Sequence, residues 1–206
     1  NYLVGTGGTG QPSPGVHSYA PGPHPLPLSP ASFYTSARWP VHSGPVASPS
    51  SPAEAVSDAT TPVIISACRT PIGRFLGGLA GFTAPQLGAR AIREAISRSG
   101  IDPAAIDEVI MGQVVQGGSG QAPARQAMIH GGVPPVVPAL TINKVCGSGL
   151  KAVMLAAQSI RAGDAQCVIA GGQESMSSAP HYLYGYRNGV KAGNQTIVDG
   201  MIHDGL

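Results

Sequence analysis

The chain has 206 residues, 42% of them hydrophobic, and a formal net charge of +2. That much apolar material suffices for a core, while basic residues dispersed among acids, with no Lys/Arg run, exclude a nucleic-acid surface. No segment reads as a transmembrane helix, and Cys68, Cys146 and Cys167 lack the spacing of a metal site, so no bound metal and a cytoplasmic, reducing location are expected.

Residues 1–61 are rich in Pro, Ser, Gly and Ala; 12 of the 20 prolines fall within residues 1–62, and Arg38, Glu54 and Asp58 are the only formal charges there. Such a stretch cannot bury enough apolar area to offset the entropy of ordering it, and a disordered leader is expected. Arg38 stands alone among helix-breaking prolines, which argues against an amphipathic presequence. With Asn1 in place of Met, the leader is expected to be partial or to include sequence that the cell does not translate.

A folded α/β domain is expected over residues 62–206, because short β-branched runs alternate with helical patterns, as in a layered fold on a mostly parallel sheet. The first strand is Val63 to Ala67. Ala84, Leu87, Gly88, Ala91, Ile92, Ala95 and Ile96 then follow helical spacing, opposite Arg90, Arg93, Glu94 and Arg98, until Gly100 stops the helix. Asp102-Pro103 opens a short turn before a strand over Glu108 to Val114. Gly117-Gly118-Ser119-Gly120 lacks the Gly-Lys-Ser/Thr ending of a phosphate loop and reads as a flexible connection.

A helix over Pro123 to His130, a strand over Ala139 to Lys144, a mostly apolar helix over Ser148 to Ala162 and a buried strand over Cys167 to Ala170 complete the pattern. Beyond Ser177 the sequence reads as loop.

The candidate catalytic residue is Cys146. It lies between a strand end and a helix start, where unpaired first-turn N–H groups and the positive end of the helix dipole, roughly half an elementary charge, face the sulfur. Gly147 and Gly149 leave room for a thioester beside the backbone. Cys68 and Cys167 sit in apolar strand-like runs and read as packing, and His130 and His181 read as structural.

Asn143 to Ala152 (Asn-Lys-Val-Cys-Gly-Ser-Gly-Leu-Lys-Ala) resembles the nucleophile motif of the thiolase family, and Gly171-Gly172-Gln173-Glu174-Ser175-Met176-Ser177 resembles its second motif. The likeness extends from Ser66-Ala67-Cys68-Arg69-Thr70-Pro71-Ile72-Gly73 through Ala179-Pro180-His181 to Met201-Ile202-His203-Asp204-Gly205-Leu206. It implies a thiolase amino-terminal domain and, within the family, the biosynthetic acetyl-CoA C-acetyltransferases.

The implied reaction is a ping-pong condensation of two acetyl-CoA to acetoacetyl-CoA and CoA, reversible by thiolysis, through an acetyl-Cys146 intermediate. Coenzyme A thioesters are substrates, no cofactor is permanently bound, and the full-length protein is expected to be a homodimer or homotetramer. The family's Gly-His-Pro and Cys-x-Gly-Gly-Gly motifs do not occur, so the chain is expected to be a truncated piece that lacks the carboxyl-terminal catalytic His and Cys and is inactive alone. An inactive thiolase-like fragment or interaction protein, and a β-ketoacyl synthase-like enzyme, are the competing readings.

Overall fold

The computed structural model describes residues 2–6 and 61–206. A five-stranded sheet carries the domain, in the order β2-β1-β5-β3-β4. These strands are β1 (Tyr2–Thr6), β2 (Pro62–Ala67), β3 (Glu108–Gly112), β4 (Ala139–Ile142) and β5 (Cys167–Gly172). β3 pairs in parallel with both β4 and β5, while β1 runs antiparallel to β2 and β5 on either side of it. The expected layered α/β domain with a mostly parallel sheet is therefore present.

Period-two alternation assigns each strand residue to a layer. Val109, Met111, Cys167 and Ile169 point to one face, where Ile92 of α1 (Ala84–Ser99) and Ala124, Ala127 and Met128 of α2 (Pro123–Gly131) complete a core. Ile110, Val168 and Ala170 point to the other, against Ala152, Ala156 and Ile160 of α3 (Ser148–Ala162). Because both faces are covered, the β5 sequence is an unbroken apolar run rather than an alternating one.

The helices begin and end for local reasons. Thr83 caps α1 through a reciprocal box: its Oγ1 accepts the Gln86 N–H at 3.4 Å and its own N–H donates to Gln86 Oε1 at 2.9 Å. Gly100, at φ 69°, closes the other end. The inward stripe of α3 is Ser148, Ala152, Ala156 and Ile160, whose three small members let the helix lie close to the sheet. Leu150 and Met154, on the opposite side of this mostly apolar helix, are exposed.

Two strands stop earlier than their sequences suggest. The expected strand to Val114 ends at Gly112, because the N–H groups of Val114 and Val115 are taken by the Glu174 carboxylate rather than by a neighbouring strand. Likewise β4 ends at Ile142, and the Lys144 N–H donates to Ser148 Oγ at 2.8 Å.

The clearest departure is at the amino terminus. Within the expected disordered leader, Tyr2–Thr6 forms a sheet strand with Tyr2 beside Ala67 on one side and Ala170 on the other. Gly5 is buried, and a Cβ there would lie 2.5 Å from Ile65 Cδ1. Five residues can join a sheet through backbone bonds without the apolar composition of a domain, a route that composition does not reveal. The expectation for residues 7–60 lies outside the described residues.

Past Ser177 the chain is also more ordered than loop. β6 (His181–Tyr182) pairs antiparallel with β7 (Val198–Asp199), followed by α4 (Gly200–Gly205), whose first turn is capped by Asp199 Oδ1 accepting the Met201 N–H at 2.9 Å. Tyr182 packs so near Gly117 that a Cβ at residue 117 would collide with its hydroxyl. The Gly117–Gly120 segment thus serves close packing rather than flexibility.

Candidate active site

Cys146 lies exposed in the turn between β4 and α3, two residues before the helix begins. The turn is closed by the Gly147 N–H donating to Lys144 O at 3.1 Å and the Ser148 N–H donating to Val145 O at 3.0 Å. Ser148 Oγ reinforces it by donating to Val145 O at 2.6 Å. Val145 is held at φ 48°, a left-handed conformation that a β-branched residue adopts at a cost of about 1–3 kcal/mol. Asn143 supports that conformation, its Oδ1 accepting the Val145 N–H at 2.9 Å.

Gly112 makes this arrangement sterically possible. A Cβ there would stand 2.6 Å from Ser148 Cβ and 2.7 Å from the Gly149 nitrogen, so only glycine lets the end of β3 abut the start of α3. No side chain caps α3, leaving its first turn free of a competing N-cap oxygen.

A cavity of about 380 Å³ opens beside the sulfur. Cys146, Val145, Val115, Met176 and Leu206 line it, with the ends of β3 and β5 at its base. Its wall is mainly apolar, suited to an acyl group and its thioester arm.

Gln113, Gln173 and Glu174, which also line the cavity, form a polar network that sequence reasoning assigned no site role. Gln113 Nε2 donates to Val115 O at 2.9 Å and to Ser119 Oγ at 2.8 Å, so its Oε1 is the acceptor that receives Gln173 Nε2 at 2.9 Å. Both glutamines are buried. The Glu174 carboxyl is pushed above the usual carboxylate range by burial, partly offset by the Val114, Val115 and Ser175 N–H groups that favour its charged form. Glutamine and glutamate beside Gly-Gly were the signal available, but their partners lie 60 residues away in sequence.

The other expected assignments also have locations. Cys167 is buried, and desolvation, with Asp107 adding to it, pushes its thiol up to about 11. Cys68 Sγ donates to Ala91 O at 2.9 Å. His130 contributes its backbone carbonyl to Arg93 Nη2 at 2.6 Å, and His181 starts β6. None of the four lines the Cys146 cavity. Among the described residues there is no cluster of three or more metal-ligating side chains and no helix long and apolar enough to cross a membrane.

The fold and turn define a layered α/β domain that presents a cysteine at a strand-to-helix junction over an acyl-sized cavity. Residues 62–206 match the family described as thiolase, N-terminal domain, and the chain belongs to the thiolase family.

An acetyl-CoA acetyltransferase of Cupriavidus necator is 60% identical over 147 residues, covering 71% of this chain and 37% of that protein. One from Pseudomonas aeruginosa is 56% identical over 144 residues, covering 70% and 37%. A probable acetyl-CoA acyltransferase of Staphylococcus epidermidis is 58% identical over 144 residues, covering 70% and 36%. The chain thus spans little more than a third of the length of these relatives.

Proposed function

We propose that this chain is the nucleophile-bearing part of a cytoplasmic acetyl-CoA C-acetyltransferase, with Cys146 as the acyl acceptor. The observation that carries the reading is Cys146 itself: exposed, held in a pinned turn at the start of α3, and lining a cavity of about 380 Å³. Relatives named acetyl-CoA acetyltransferase at 56–60% identity support the substrate.

In this reading the Cys146 thiolate adds to the carbonyl of acetyl-CoA, and CoA leaves as the thiolate, producing acetyl-Cys146. A second acetyl-CoA then loses a proton from its methyl carbon, and the carbanion attacks the acetyl-cysteine. Acetoacetyl-CoA forms and Cys146 is released as its thiolate, while over the full cycle the proton lost from carbon balances the one taken up by the departed CoA thiolate to give free CoA.

Carbon deprotonation and oxyanion stabilisation need groups that the family supplies from carboxyl-terminal motifs. These 206 residues alone are accordingly expected to accept acetyl slowly and not to condense it. The domain is read as residues 62–206, the complete protein as a homodimer or homotetramer, and coenzyme A thioesters as its substrates, with no permanent cofactor.

The test is acetyl exchange between acetyl-CoA and labelled CoA in a polypeptide extended to the relatives' length. Cys146→Ala abolishes exchange while leaving the fold intact; exchange retained in that variant refutes the assignment.

A further inference from the structure

We propose that Glu174 is a positioning residue for Cys146, acting through a hydrogen-bond relay that runs across the cavity wall. Its carboxylate accepts the Val114 N–H at 2.8 Å and the Val115 N–H at 3.3 Å. The Val114 carbonyl accepts Asn143 Nδ2 at 3.3 Å, and Asn143 Oδ1 accepts the Val145 N–H at 2.9 Å. Three links in series therefore join a half-buried carboxylate after β5 to the residue immediately before the nucleophile, and the Val115 N–H adds a second hold on the carboxylate.

The relay has work to do because Val145 is in an unfavourable conformation. At φ 48° it would relax unless its N–H and carbonyl were both held. Ser148 Oγ holds the carbonyl, and Asn143 holds the N–H. Asn143 is itself exposed, so its side chain stays in place only if Val114 offers a fixed carbonyl. Val114 lies beyond the last residue of β3, and Glu174 supplies the bond that its N–H would have made in a longer strand. The neighbouring Gln113–Gln173 pair anchors the same segment from its buried side.

The inference rests on Cys146 as the acyl acceptor, and the test separates the two. Amide hydrogen exchange is followed residue by residue in the 206-residue chain and in Glu174→Ala, Glu174→Gln and Glu174→Asp. The relay predicts that Glu174→Ala speeds exchange at Val145 at least tenfold, although Glu174 makes no bond to Val145, while Val109 and Ile169 in the strand cores are unchanged. Glu174→Gln keeps an acceptor oxygen and restores slow exchange at Val145 to within about threefold. Glu174→Asp keeps the charge but retracts the oxygens by one methylene; it decides the matter if the alanine variant does not fold, again by raising Val145 exchange.

Unchanged Val145 exchange in a folded Glu174→Ala or Glu174→Asp variant overturns the relay. Acetylation of Cys146 by acetyl-CoA is then compared in the same proteins and falls with Val145 protection. If the unsubstituted chain accepts no acetyl group, the reading of Cys146 fails while the exchange data still decide the relay. If acetylation is undiminished when Val145 is unprotected, the positioning role fails.

Discussion

Three cysteines in one chain illustrate how environment divides a single side-chain chemistry. Cys146 is exposed at a helix start, Cys68 is occupied by the Ala91 carbonyl, and Cys167 is buried with its thiol pushed up to about 11 from an ordinary value of 9.0. At pH 8, iodoacetamide followed by peptide mass spectrometry is predicted to modify Cys146 and spare Cys167. Since an unfolded Cys167 would ionise near pH 9, the unfolded chain loses that proton first, and stability is predicted to fall as pH rises from about 9 to about 11. Urea midpoints across that range, compared with a Cys167→Ala variant that lacks the drop, check the sign. At this scale the position of Cys146 between a strand end and a helix start was legible because glycines and a strand-to-helix switch surround it. Val145's left-handed backbone was not, since nothing in a valine announces φ 48°.

Elements read well where one local rule decides them. The α3 boundaries, Ser148–Ala162, coincide with the expected ones, and the Thr83–Gln86 box gives α1 an equally local start. Thr83→Ala is predicted to cost about 1 kcal/mol, measured by urea unfolding. The strand ends before Val114 and Lys144 were not legible, because the groups that end them come from Glu174 and Ser148.

Helix–sheet contact makes a stronger demand. Gly112→Ala must push the end of β3 from the start of α3 and is predicted to cost about 1–3 kcal/mol or more. Gly88→Ala should cost less than Gly112→Ala but still destabilise, despite alanine's better helix propensity, because its Cβ would displace the buried Gln173 amide from its bond to Gln113. A gain in stability in either variant would contradict the close packing.

The whole domain depends on a sheet whose pairing partners are far apart in sequence. Tyr2–Thr6 fills the place between β2 and β5, so removing residues 1–6 is predicted to lower the unfolding free energy by about 2 kcal/mol or more, as two strands lose backbone partners. An unchanged urea midpoint would show that the strand contributes nothing. The layered α/β class was legible because each helix and strand carries its own hydrophobic period in sequence, whereas the insertion of a Gly-containing pentapeptide depends on backbone bonding alone. The relation between fold and chemistry is tested most directly on the 206-residue chain, by incubating it with acetyl-CoA and locating the transferred group by whole-protein and peptide mass spectrometry. The account predicts one acetyl group per chain, on Cys146, with one CoA released and no transfer to the Cys146→Ala variant; acetylation at Cys68 or Cys167 in preference to Cys146, or none at all, would contradict it.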